Sequence, residues 1–155
     1  PDILLVGKAF GGGLPLAAFI SSNEIMQVLQ NNPVLGHITT FGGNAVCCAA
    51  GLASLKEIEE HTLYLNVEAK AQLFLQLLQH HAIKKINHCG LMMAVYLDNF
   101  DNLQKVIHEC LANGLITDWF LFANNCMRIA PPLIISENEI KQACAIILKA
   151  LDKVY

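Results

Sequence analysis

Charge is scarce in this sequence: Asp, Glu, Lys and Arg make up 15% of its 155 residues, against 54% hydrophobic ones. The formal net charge is −3, and ten scattered Lys and Arg form no basic stripe. Nucleic acid and anionic membrane surfaces are therefore not expected as partners. Residues 25–55 carry no charged side chain at all. That stretch nevertheless contains Gln27, Asn31, Asn32, Pro33, His37, several glycines and Asn44, which rules it out as a membrane span. No secretory-leader pattern, internal repeat or low-complexity segment is visible.

Paired cysteines are missing too. Cys47 and Cys48 are adjacent, Cys89, Cys110, Cys126 and Cys144 stand singly in apolar surroundings, and no C-x-x-C occurs. His88-Cys89 lacks a second half at zinc-finger spacing, and His61, His80, His81, His88 and His108 show no convergent pattern. These features point to no metal site, to surface or hydrogen-bonded histidines, and to free thiols in a reducing cytoplasm. The high apolar content requires a large core or apolar surface that meets another chain.

Several elements can be placed. The run from Ile3 to Val6 is all apolar and suits a strand buried on both faces of a parallel sheet. Lys8 and the turn Gly11-Gly12-Gly13 follow, then a second apolar run over residues 16–21. Ser21 and Glu24 have capping-box spacing, predicting a helix over residues 23–30. Residues 31–43 read as a loop. Helices are expected from Asn44 onward, over 65–80 with Leu73, Leu75, Leu77 and Leu78 on the apolar side, and over 102–113 with Gly114 as cap. A last helix opens at the Ser136/Glu139 capping box. Strands are expected at 83–87, 91–97 and 127–130. The fold class is α/β, with a small α/β domain beginning near residue 60. Pro1 leads directly into a strand, so the polypeptide is expected to extend upstream.

Three places could carry chemistry. Lys8 stands at the end of the first strand, where α/β proteins bind ligands. A desolvated lysine there can lose its proton and attack a carbonyl. A Walker A loop would need its lysine after the glycines, not before them. The segment His37-Ile38-Thr39-Thr40-Phe41-Gly42-Gly43-Asn44 puts hydroxyls beside a glycine pair at a helix start. It suits either an anion such as phosphate or an ordinary capped turn. Arg128, in Met127-Arg128-Ile129-Ala130-Pro131-Pro132, could hold an internal carboxylate or a substrate carboxylate. Residues 117–122, Thr-Asp-Trp-Phe-Leu-Phe, offer aromatic surface to a pocket or simply form a core or interface strand.

Taken in order, Pro1-Asp2-Ile3 through Gly7-Lys8-Ala9-Phe10-Gly11-Gly12-Gly13, then Thr40-Phe41-Gly42-Gly43-Asn44, then Arg128-Ile129-Ala130-Pro131-Pro132-Leu133 resemble the class III aminotransferases. That group includes ornithine, acetylornithine and 4-aminobutyrate aminotransferases. The resemblance implies a C-terminal piece of the pyridoxal-phosphate-dependent transferase large domain over residues 1–59, and the small C-terminal α/β domain over 60–155. It implies that Lys8 binds pyridoxal 5'-phosphate as a Schiff base and that Thr40 reaches the cofactor phosphate of the neighbouring subunit of a homodimer. By the same resemblance Arg128, and less directly Thr39, contact the substrate. The activity implied is transamination between an amino acid or ω-amine and an oxo acid, 2-oxoglutarate being the expected acceptor. An aminomutase or decarboxylase of the same family, or a non-catalytic interaction subunit, is the alternative. Ala45 departs from the proline that often follows the Asn, which bears on the local helix start. The family's remaining cofactor contacts, among them the Asp facing the pyridinium nitrogen, lie upstream of Pro1, so this chain alone is expected to be inactive.

Overall fold

A computed structural model of the chain describes every residue except 31, 33, 35 and 37; of the loop motif above, His37 lies outside the described residues. Two compact units result, Pro1–Thr62 and Leu63–Tyr155. Among the described residues no helix is long and apolar enough to cross a membrane.

In the first unit, β1 (Ile3–Val6) pairs antiparallel with β2 (Ala18–Ser21), Ile3 opposite Ser21 and Val6 opposite Ala18. The one partner of β1 among the described residues is thus antiparallel, where a parallel neighbour was expected. The link between the strands, residues 7–17, is shorter than the roughly dozen residues a parallel crossover needs, so the chain turns straight back. Nor is β1 covered: Leu5 is 77% exposed, and only Gly11 and Gly51 are buried among the described residues of this unit. A second correction concerns α1 (Asn23–Gln27), which is three residues shorter than expected and capped by Ser22, not Ser21. Register decides between the two serines. Ser21 is held in β2, where its hydroxyl donates to the Asp2 carbonyl at 2.6 Å, whereas Ser22 Oγ accepts from the Ile25 N–H at 3.3 Å.

Helix α2 (Ala45–Glu60) begins cleanly despite the missing proline. Asn44 Oδ1 accepts from Val46 N at 3.1 Å and Cys47 N at 3.2 Å, so two of the helix's unpartnered N–H groups are satisfied without it.

The second unit is a four-stranded antiparallel sheet with three helices. In chain order its elements are α3 (Val67–Leu77), β3 (Lys85–Cys89), β4 (Met92–Tyr96), α4 (Phe100–Ala112), β5 (Asp118–Phe120), β6 (Ala123–Ile129) and α5 (Glu137–Val154), and the sheet order is β3-β4-β6-β5. Met93 and Val95 of β4 lie opposite Ile129 and Met127 of β6 and form one inward face. The core joins them to Phe74 and Leu78, to Leu103, Val106 and Cys110 of α4, and to Ile140, Ile147 and Leu151 of α5. On α3 the fully buried positions are thus Phe74 and Leu78; Leu73, Leu75 and Leu77 are only partly covered. Strand β6 begins four residues earlier than expected. Asn125, which reads as a turn former, is instead tied to Leu97: its Nδ2 donates to the Leu97 carbonyl at 3.1 Å and its own carbonyl accepts from Leu97 N at 2.9 Å.

Local end signals are explicit in this unit. Helix α4 starts under the Asn99 side chain, which accepts from Asn102 N at 2.9 Å. It ends with Asn113 as cap and Gly114 just beyond, at φ +84°. The Leu115 and Gly114 N–H groups reach back to the Cys110 and Leu111 carbonyls, the Schellman arrangement. Helix α5 opens with the full capping box: Glu139 N donates to Ser136 Oγ at 3.3 Å, and the Ser136 N–H donates to Glu139 Oε2 at 2.7 Å. The Ser136 backbone N–H, then its hydroxyl, hold the Glu139 carboxyl below its ordinary pKa. That contribution is therefore present above the ordinary carboxylate range and is lost as pH falls through the lowered value. Ser136→Ala should cost about 1 kcal/mol in urea unfolding at neutral pH, and the gap to the parent should narrow in acid.

Candidate active site

The candidate residues divide between the units: Lys8, Thr39 and Thr40 belong to the first, Arg128 to the second. Lys8 opens a short 3-10 turn, Lys8–Gly11, directly after β1. Its φ of +53° lies in the left-handed region that a lysine rarely occupies, and its side chain is exposed with no hydrogen bond or ion pair among the described residues. The glycines that follow explain how the turn is held. A Cβ added at Gly12 would lie 2.6 Å from the Ala50 carbonyl oxygen, and one at Gly51 would lie 2.9 Å from that of Phe10. The turn thus sits backbone-to-backbone on α2, and these glycines serve helix packing first. Gly13 differs: at φ +94° it has nothing within 4 Å of its Cβ position.

The Thr39–Gly43 segment is a pair of tight turns leading into α2, with Gly42 N bonded to the Thr39 carbonyl at 3.2 Å and Asn44 N to that of Phe41 at 3.2 Å. The two threonines differ. Thr39 Oγ1 lies where a Gly42 side chain would begin, 2.6 Å from that Cβ position. Thr40 is exposed and its hydroxyl has no partner among the described residues. A cavity of ≈ 410 Å³ within this unit is lined by Phe10, Gly43 and Gly51 among others, so the lysine turn and the threonine loop border one space beside α2.

Arg128 sits on β6 directly opposite Asp118 of β5. Its Nε donates to Asp118 Oδ1 at 2.7 Å and its Nη2 to Asp118 Oδ2, a bidentate pair with both side chains a little under half exposed. Of the two roles open to this arginine, the internal carboxylate is realised, and sequence reasoning had not singled out Asp118. The signal was available: Arg128 is the sole arginine of the sequence, and Asp118 is the one acid between Glu109 and Glu137. Trp119 packs edge-on against Phe100, ring centroids 5.7 Å apart, while Leu121 and Phe122 project into solvent from the β5–β6 turn. Asp118, Arg128 and residues 119–122 line an open surface depression of ≈ 430 Å³.

His80 Nδ1 accepts from Ala82 N at 3.1 Å and its Nε2 faces Asp152 at 3.2 Å, whereas His88 Nδ1 is buried without a partner among the described residues. All six cysteines are free, and burial pushes the thiols of Cys110 and Cys144 up to about 11 and about 12, which makes them inert.

Known proteins match this chain closely. A sequence model of the aminotransferase class-III family fits residues 1–151. An acetylornithine aminotransferase of Haemophilus ducreyi is 33% identical over 99% of this chain and 37% of its own length. An (R)-1-hydroxy-2-aminoethylphosphonate ammonia-lyase of Vibrio splendidus is 35% identical over 99% of this chain and 34% of its own length. Among solved structures, an ornithine aminotransferase of Toxoplasma gondii, described with partial occupancy of PLP at its active site, superposes with a TM-score of 0.86 at 31% identity, over 99% of this chain and 37% of that one. The chain therefore spans a little over a third of the length of such relatives. With the family model fitting nearly from end to end, this chain belongs to the class III aminotransferases.

Proposed function

We propose that this chain is part of a pyridoxal-phosphate-dependent aminotransferase that moves an amino group between an amino acid or ω-amine and an oxo acid, with 2-oxoglutarate as acceptor. The observation that carries the reading is Lys8 itself, in the family's lysine motif, on left-handed backbone, with an exposed and unpartnered amine. The donor set fits the cofactor: an available Lys8 amine for the aldehyde of this subunit's cofactor, and the Thr40 hydroxyl for the phosphate of the neighbouring subunit's. Units Pro1–Thr62 and Leu63–Tyr155 would be the end of the large cofactor domain and the small domain. The first unit buries only Gly11 and Gly51 among its described residues, in keeping with a piece that is covered by more protein.

In this reading Lys8 Nζ holds the cofactor covalently, and when released it carries a proton to and from the substrate carbon. The bound cofactor supplies a ring that accepts the electron pair left when that carbon loses its proton. Thr40 Oγ1 donates to the phosphate of the neighbouring subunit's cofactor, which requires a homodimer. Arg128 orients a substrate carboxylate, and Thr39 lies at the substrate side. The free thiols accord with a cytoplasmic enzyme.

A second reading draws on the ammonia-lyase relative, which shares 35% of its residues with this chain. Lys8 would serve there too, but ammonia would be released without any oxo acid.

The test is to incubate the full-length protein, of which this chain is a part, with pyridoxal phosphate, reduce with borohydride and map the labelled peptide. Lys8 should carry the label; a label at another lysine, or none, defeats the proposal. Ammonia release in the absence of an oxo acid would favour the lyase reading.

A further inference from the structure

Arg128 is the lone arginine and its guanidinium is only half used. Nε and Nη2 are taken by the two oxygens of Asp118. The opposite end, Nη1 with the outer N–H of Nη2, has no partner among the described residues. Guanidinium carries five N–H donors in one plane, so a side edge and an end edge can each hold a carboxylate at the same time. Both side chains of the pair are more than two-fifths exposed, and they border an open surface depression of ≈ 430 Å³ edged by Trp119, Phe120, Leu121 and Phe122.

We infer that Asp118 is a positioning residue: it holds Arg128 by the side edge while the Nη1–Nη2 end serves as the seat for a carboxylate carried on an apolar stem. This rests on the reading of Arg128 as the substrate-carboxylate residue. Three features of the geometry favour a permanent brace over a carboxylate that must leave. Asp118 and Arg128 are directly opposed on paired strands, so the brace is fixed by the sheet. Thr117 Oγ1 donates to the Arg128 carbonyl at 2.7 Å and ties the same two strands together beside it. Trp119, next along β5, is fastened against Phe100 of α4. A long arginine side chain otherwise spreads over many rotamers, and holding one edge removes most of that entropy before the ligand arrives.

The experiment uses the full-length protein, of which this chain is a part, loaded with pyridoxal phosphate, with glutarate as a non-reacting dicarboxylate probe in calorimetry and 2-oxoglutarate in steady-state kinetics. Arg128→Lys should weaken glutarate by about tenfold or more, since a point charge cannot replace the fork. Asp118→Ala should weaken it by about tenfold and Asp118→Asn, which keeps one acceptor for Nε, by about threefold. In both Asp118 variants KM for 2-oxoglutarate should rise with kcat little changed, a split that a merely structural role would not produce. Glutarate affinity equal to or tighter than the parent's in the Asn variant overturns the inference, even if the Ala variant fails to fold. If Arg128→Lys binds glutarate as the parent does, the reading of Arg128 itself has failed instead.

Discussion

Lys8→Ala should abolish the borohydride-fixed label and lower turnover by at least about a thousandfold, within the range that one acid–base group contributes. The size of the effect follows from two jobs resting on one nitrogen, holding the cofactor and moving the proton. Lys8→Arg makes the argument sharper. It keeps positive charge and reach, yet guanidinium stays protonated at any workable pH and cannot act as a nucleophile. Both variants should therefore be equally silent, and an arginine variant within tenfold of the parent would show that charge alone was needed. Lys8 adopts φ +53°, one of three non-glycine residues with positive φ among the described residues, at a cost of about 1–3 kcal/mol that ordinary selection for stability would remove. A glycine at position 8 would relieve that strain, so Lys8→Gly should be inactive and yet no less stable than Lys8→Ala.

The second large effect is on stability and belongs to Gly12. Gly12→Ala puts a methyl group 2.6 Å from the Ala50 carbonyl oxygen and 3.0 Å from Ser54 Cβ, against helix backbone that cannot swing aside. Left-handed backbone for alanine adds about 1–2 kcal/mol, and forced overpacking about 1–3 kcal/mol, so about 2–5 kcal/mol should be lost. Gly13→Ala is the control. It also has positive φ but meets nothing within 4 Å, so it carries the backbone cost without the clash. Chemical unfolding of the full chain should rank Gly12→Ala well below Gly13→Ala. Equal midpoints would mean that the contact between the lysine turn and α2 is not what places Lys8.

The candidate residues stood out in the sequence more plainly than the contacts they make. Glycine, lysine, threonine and arginine advertise themselves because few backbones or surfaces need them in those places. Helix ends were legible where a cap has one solution, as at Ser136 with Glu139, and ambiguous where Ser21 and Ser22 competed. The direction of β1 could not be read from its apolar residues, because such a run reports burial and says nothing of which neighbour supplies it. Here the short link to β2 decided. Asp118 was hidden for a related reason. Its pairing with Arg128 depends on an irregularity between Trp119 and Phe120, which shifts the β5–β6 register beyond what simple alternation would give. Leu78 was expected on the apolar side of α3, whereas the fully buried Phe74 emerged only from the packing of α5 on that helix, since a leucine-rich helix offers several plausible stripes.

The order β3-β4-β6-β5 has a temporal meaning. As the chain leaves the ribosome, β3 and β4 can pair at once as neighbours, but the other side of β4 must wait until α4, β5 and most of β6 have been made. During that interval Met92–Tyr96 presents an open, apolar strand edge of the kind that recruits other chains. The last strand to emerge closes that edge of β4 and, in the same movement, sets Arg128 in place opposite Asp118.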